Sequence, residues 1–322
     1  MHDISAARPV LITGASGFVG GYVMDALELL GVQLDCRVAV SVNSDFAPKA
    51  GRTVSLDITN AAAVGEMIAA QKPAAIIHLA AVAEPARAFR DRDGAWAVNV
   101  DGTRHIARAV MQHVPDARLV FAGSAEAYGL SFNGAEGGVT EDSALKPMSA
   151  YGATKAAADV LLSQMAFDGL DVIRFRAFNH TGPGQTPVYV VPAFAEQIAR
   201  IEADRQPPVM KVGNLDVRRD FLDVRDVARA YALAASGRGD KGGVYNLSSG
   251  MARSIQSILE ELLSHSSADI TVEIDPNRLR PSDVPHAAGN NSNVRRALEW
   301  QVEIPFEATL LDVLNYFREK LS

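Results

Sequence analysis

Along the first half of the chain, short unbroken apolar runs alternate with longer segments whose apolar residues recur every three or four positions. Residues 9–12, 37–42, 74–79, 117–122 and 171–175 have the length and apolar content of buried strands. Residues 18–30, 61–70, 93–113 and 149–167 carry helical spacing; the first closes at Gly31 and the second stops before Pro73. Strands that are apolar throughout are buried on both faces, and regular alternation with helices implies parallel crossovers. The predicted fold is therefore α/β, a doubly wound parallel sheet with helices on both faces. After about Phe178 the rhythm changes. Gly182-Pro183-Gly184, Pro187 and Pro192 form a loop ahead of a helix over 193–203, and later elements are shorter and less regular. The sheet domain is thus expected over 1–178, with elements of about 215–248 returning to it. A smaller α/β lobe is expected mainly over 179–322.

Composition narrows the class. With 48% hydrophobic and 21% charged residues among 322, the chain is ordinary for a soluble globular protein and long enough for two modest domains. A net charge of −7 disfavours nucleic acid as a partner, because such binding relies on an extended basic face. The lone Cys36 forbids an intrachain disulfide and suits a reducing, cytoplasmic setting. No membrane partner is expected: the longest nearly apolar run, 74–83, contains His78 and falls far short of the roughly 20 residues of a span. Residues 1–9 hold no apolar secretory core. The seven histidines show no ligand spacing, so no metal is expected.

Two places carry candidate chemistry. The first strand runs into Thr13-Gly14-Ala15-Ser16-Gly17-Phe18-Val19-Gly20 and then directly into a helix. Glycines at 14, 17 and 20 let the backbone turn sharply and come close to a pyrophosphate, which the helix N-terminus attracts. An acidic residue at the end of the second strand would select NADH; Ser41, Val42 and Asn43 stand there instead, and no arginine follows at once to claim a 2′-phosphate. The preference between NADPH and NADH stays open, with Asn43 the candidate contact. Further on, Tyr151 and Lys155 are four apart on a helix and share a face. An ammonium beside a phenol favours phenolate, so Lys155 is expected to lower the Tyr151 pKa. Ser124, just beyond the strand 117–122, can hydrogen-bond a carbonyl oxygen held beside Tyr151.

In order and spacing, Thr13 to Gly20, His78-Leu79-Ala80-Ala81, Asn99-Val100-Asp101-Gly102-Thr103, Ser124 to Gly129 and the Tyr151/Lys155 pair resemble the extended short-chain dehydrogenase/reductases. The resemblance spans nearly the whole chain. It implies a Rossmann domain with a sugar-nucleotide lobe, and cofactor contacts at Gly14, Gly17, Phe18, Val19, Gly20, Asp57, Ile58, Leu79, Ala80, Ala81 and Asn99. It further implies catalysis by Ser124, Tyr151 and Lys155, the lysine also holding the nicotinamide ribose.

The C-terminal half narrows the substrate. Arg176 to Gln185, including Asn179-His180-Thr181-Gly182-Pro183-Gly184-Gln185, resembles a segment of GDP-4-dehydro-6-deoxy-D-mannose reductases, as does Arg278-Leu279-Arg280-Pro281-Ser282-Asp283. Gly213 to Phe221 resembles a segment that those reductases share with GDP-mannose 4,6-dehydratases. The resemblance implies that Asn179, Arg219 and Arg280 hold a GDP-sugar, in keeping with the bidentate affinity of guanidinium for phosphate. It implies reduction of a C4 ketone, with Tyr151 as acid, to GDP-D-rhamnose or its C4 epimer GDP-6-deoxy-D-talose. The rival within the family is 4,6-dehydration, for which Glu126 would be the base; Ala125, however, has no proton to give. A non-catalytic dinucleotide sensor would typically lose the serine or the Tyr/Lys pair, and all three are present. The helices over 94–113 and from Ser149 match positions where relatives dimerise through a four-helix bundle, so a homodimer is expected.

Overall fold

The computed structural model of the protein describes residues 8–42, 51–135, 137–279 and 284–322. Two candidate contacts, Asn43 and Arg280, lie outside the described residues. The first half forms β1 (Val10–Thr13), α1 (Phe18–Leu29), β2 (Arg37–Ser41), β3 (Arg52–Ser55), α2 (Ala61–Gln71) and β4 (Ala75–His78). Next come α3 (Pro85–Arg90), α4 (Arg92–Trp96), α5 (Thr103–His113), β5 (Arg118–Ala122), α6 (Ala150–Phe167) and β6 (Val172–Ala177). The second half contributes β7 (Asn179–Thr181), α7 (Val190–Glu202), β8 (Val209–Val212), β9 (Arg218–Asp223), α8 (Val224–Ala235) and β10 (Val244–Leu247). It ends with β11 (Ala252–Ser254), α9 (Ile255–Ser264), β12 (Thr271–Ile274), β13 (His286–Ala287), α10 (Ser292–Leu298) and α11 (Phe306–Leu321).

Seven strands pair in parallel in the order β10-β6-β5-β4-β1-β2-β3, giving the doubly wound α/β sheet that the apolar runs predict. The order reverses between β1 and β4, where successive crossovers leave in opposite directions and a crevice must open at the strand ends. One face is covered by α1 and α8 over Val10, Ile12, Val120 and Phe175. The other is covered by α2, α5 and α6 over Leu11, Ile76, Leu119 and Phe121. A third core, built from α7, α9, α11 and the strands beside them, makes the smaller lobe. Within 215–248, α8 and β10 join the large sheet's layers, whereas β9 pairs with β7, β11 and β13 in the lobe.

Three local readings need correction. The strand β3 escapes notice because Val54 is the one strongly apolar residue in Arg-Thr-Val-Ser, as befits an edge position with exposed ends. The expected single helix over 93–113 is interrupted by π-helical turns over Ala97–Gly102, which no propensity marks. Pro192 lies inside the first turn of α7, not in the preceding loop, because a proline there forfeits no intrahelical hydrogen bond.

A buried ionic cluster ties these layers together. The Asp159 carboxylate on α6 accepts from Arg174 Nη1 at 2.8 Å and from Arg176 Nε at 3.0 Å, both on β6. Arg176 Nη1 also donates to the Tyr128 hydroxyl at 2.9 Å, and Tyr128 in turn donates to Asn246 on β10 at 2.6 Å. Removing the carboxylate would strand two guanidiniums in the interior. Asp159→Ala should therefore lose about 3–5 kcal/mol of unfolding free energy in urea titrations; a loss below about 1 kcal/mol would show that the cluster does not hold the layers.

Candidate active site

A cleft of about 590 Å³ opens at the strand ends where the sheet order reverses. It begins at the turn between β1 and α1. Gly14 adopts φ +70°, and a Cβ there would lie 2.6 Å from the Ala80 amide nitrogen. A Cβ on Gly20 would lie 2.1 Å from the Ala15 carbonyl. Both glycines are thus demanded by close backbone approach, and Gly17 supplies a helix cap with no side chain. The caps of α2, α6, α8 and α9 are closed by Asn60, Ser149, Asp223 and Ser254, but α1 has no side-chain cap. Its first amides are left for an anion. Beside the turn, Ser16 and Ser41 share a hydrogen bond of 2.7 Å.

Along the walls lie Gly14, Gly17, Phe18, Val19, Gly20, Asp57, Ile58, Leu79, Ala80 and Ala81, so the structure gathers these candidate cofactor contacts on one surface. Asp57 accepts from the Thr59 amide at 2.9 Å and its hydroxyl at 2.8 Å, and these bonds hold its pKa below the usual carboxylate value. Asn99 is the exception. It is buried behind the wall, where Oδ1 accepts from the Val82 amide at 2.7 Å and Nδ2 donates to Thr154 at 2.9 Å. Asn99 therefore shapes the cleft without facing it, because the π-helical turns carry its side chain inward to the Val82 backbone. His78 is likewise buried, between the Thr13 and Thr103 hydroxyls, and burial followed by the Lys155 charge pushes its pKa down to about 3.

At the far end, Ser124, Glu126, Tyr151, Lys155 and Asn179 line the same cleft. Ser124 Oγ caps a short turn by accepting from the Glu126 amide at 3.1 Å, and it also hydrogen-bonds Tyr151. Lys155 Nζ donates to the Ala122 carbonyl at 2.8 Å and sits 5.1 Å from the centre of the Phe121 ring. Burial lowers its pKa to about 8. The expected lowering of the Tyr151 pKa is not found. Burial, then the Glu126 charge, push it upward, and the Ser124 hydrogen bond offsets this only in part. Tyr151 is consequently a protonated donor at neutral pH. Glu126 meets water through the cleft mouth but is otherwise enclosed by protein. That enclosure raises its pKa against the lowering effects of Ser149, which donates to it at 2.8 Å, and of Arg219. Arg219 is thus near the cleft, although it does not line it.

Several lining residues carry no signal in the sequence. Arg87 on α3, Tyr189 at the start of α7 and Tyr231 on α8 reach the cleft from elements whose approach is set by tertiary packing. Ser16 was visible in principle, since it lies within the glycine turn.

The family model described as the NAD dependent epimerase/dehydratase family matches residues 10–248. The chain belongs to this family. Relatives include GDP-6-deoxy-D-mannose reductase of Pseudomonas aeruginosa, 29% identical over 97% of this chain and 98% of that protein. UDP-glucose 4-epimerase of Mycolicibacterium smegmatis is also 29% identical, over 96% of this chain and 98% of its own. Among solved structures, RMD from Pseudomonas aeruginosa in complex with NADPH superposes with a TM-score of 0.84 at 28% identity, covering 98% of this chain and 100% of that one. Members are NAD(P)-dependent enzymes acting on sugar nucleotides, and the cleft of this member fits such a dinucleotide: an uncapped helix N-terminus, close-packed glycines and a long wall of small residues. Among the described residues no helix is long and apolar enough to cross a membrane.

The glycine argument is directly testable. Gly20→Ala forces the turn away from Ala15 and should weaken NADPH binding about tenfold or more in a fluorescence titration. Unchanged affinity would mean that the turn does not hold the phosphates.

Proposed function

We propose that the protein reduces the C4 ketone of GDP-4-dehydro-6-deoxy-D-mannose with NAD(P)H, giving GDP-D-rhamnose or, by attack on the other face, GDP-6-deoxy-D-talose. One observation carries this reading: the cleft presents a half-buried, protonated tyrosine hydrogen-bonded to a serine, while Ala125 beside Glu126 has no proton to give. Such a site can complete a ketone reduction but lacks the second acid that elimination of water calls for. The similarity to the Pseudomonas aeruginosa reductase along nearly the full chain supports the same conclusion.

When bound, the dinucleotide supplies hydride to C4. Gly14, Gly17, Phe18, Val19 and Gly20 would hold its pyrophosphate, with Asp57, Ile58, Leu79, Ala80 and Ala81 along its adenosine and ribose. Tyr151 gives its proton to the C4 oxygen as negative charge develops there, and Ser124 hydrogen-bonds the same oxygen. Lys155, anchored on the Ala122 carbonyl, keeps its ammonium at the cleft floor to hold a ribose hydroxyl. Asn179 and Arg219, on the lobe side, would grip the substrate's diphosphate. Arg219 lies close enough to Glu126, which lines the cleft, for the two charges to attract.

Glu126, enclosed near Tyr151, is what favours a second reading as a GDP-mannose 4,6-dehydratase. Formation of a 4-keto sugar from GDP-D-mannose with NAD(P)⁺ would establish it in place of the reductase. We further propose a homodimer through α4, α5 and α6. Trp96 is 43% and Val160 60% exposed there, apolar surface that a second copy would cover. Sedimentation at a single-chain mass would exclude that assembly.

With GDP-4-dehydro-6-deoxy-D-mannose present, the protein should oxidise NADPH or NADH, and the product's C4 configuration identifies the attacked face. No loss of cofactor absorbance with either nucleotide sinks the reductase assignment. Tyr151→Phe should lower kcat by about 10²–10⁴-fold with cofactor affinity retained. The pH profile follows from Lys155, whose folded pKa lies below its ordinary value. Its ammonium is fully present well below pH 8 and is lost as pH rises through about 8, so kcat/KM should fall across that range. A flat profile from about pH 7 to 9.5 would remove Lys155 from the step.

A further inference from the structure

We propose that the hydroxyl of Tyr231 is a hydrogen-bond donor to the nicotinamide end of the bound dinucleotide, reaching it from the floor of the cleft. Tyr231 lies in the middle of α8, between Ala230 and Ala232, and is only 2% exposed. Its ring packs edge-on against Phe175, with centroids 5.2 Å apart, inside the core beneath the sheet. The residue nevertheless lines the cleft together with Ala122, Gly123, Ala177 and Phe178 at the ends of β5 and β6.

Its hydroxyl is set apart by having no hydrogen-bond partner among the described residues. Tyr128 donates to Asn246 and Tyr245 to Asp240, as buried phenols normally do. A hydroxyl without such a partner is left available to a polar group of a ligand bound in the space it lines. The opening that Tyr231 lines belongs to the cleft. It lies close enough to Tyr151 for the two phenols to influence each other, and burial followed by Tyr151 pushes the Tyr231 pKa upward, so it is a donor at neutral pH. Tyr151 marks where the reacting ring must sit, and the amide substituent of that ring carries a carbonyl acceptor. Phenylalanine would fill the same core volume, so packing alone does not call for the hydroxyl.

This inference rests on the cofactor part of the proposed function, and its test separates the two. NADPH and NADH are titrated by calorimetry into the wild-type chain and into Tyr231→Phe, with ADP-ribose as a probe that lacks the nicotinamide. The variant should bind both dinucleotides about five- to tenfold more weakly and ADP-ribose equally well. Its Tm without cofactor should stay the same, because phenylalanine keeps the ring packing against Phe175 and no protein hydrogen bond is lost. Equal dinucleotide affinity in the two proteins overturns the inference and leaves the cofactor reading intact. So does a parallel loss for ADP-ribose with a lowered Tm, which marks a packing role. A wild-type chain that binds neither dinucleotide overturns both.

Discussion

Asp159 places one carboxylate between two buried guanidiniums, and much of the cleft depends on that arrangement. The residue belongs to the helix that carries Tyr151 and Lys155, while its partners Arg174 and Arg176 belong to the neighbouring strand β6. Burial acts against both cations. In Arg176 the hydrogen bonds and charge of Asp159 more than offset it, whereas Arg174 remains shifted downward, with the charge of Arg176 adding to the effect of burial. The cluster extends through Tyr128 to Asn246, and Glu141 accepts from the Asn246 amide at 2.8 Å. One charge network thereby fixes α6, the Ser124-to-Tyr128 segment and β10 against one another. Charged groups this deep specify geometry more than they add net stability. Here the geometry they specify places the serine, tyrosine and lysine in one cleft.

Around that fixed point the cleft is shaped by polar groups that do not face it. Asn99 braces the Val82 backbone and Thr154 at once, linking the wall after β4 to α6. His78 spans Thr13 and Thr103, linking β1 to α5, and remains neutral because burial disfavours its charged form. These contacts explain how a wall of small residues holds its position with few large side chains. They also leave the anion-binding work to backbone amides, which is why a chain of net charge −7 can present a phosphate site.

Most of the large sheet is legible in the sequence, because buried parallel strands must be apolar along their whole length. Val10 to Ile12, Ala75 to Ile77 and Leu119 to Phe121 announce themselves in this way. The edge strand β3 does not, since a half-exposed strand tolerates Arg52, Thr53 and Ser55. The π-helical turns around Asn99 are equally silent, because they answer to the Val82 backbone and not to any local preference. Ser124, Tyr151 and Lys155 can be picked out by spacing and resemblance. The direction of the Tyr151 shift cannot, because it depends on burial and on the approach of Glu126, and neither is a local property.

The amino-acid order by itself determined the parallel α/β sheet, the glycine turn after β1 and the shared face of Tyr151 and Lys155. Each follows from short-range geometry: strand burial, backbone freedom, and the pitch of a helix. Only the tertiary structure decided that the Tyr151 pKa is raised and not lowered, that Asn99 stands behind the wall, and that Arg87, Tyr189 and Tyr231 reach the cleft. These depend on which distant groups are brought together and how much water is excluded between them. Hydrophobic periodicity records that a residue is buried but not what it is buried against.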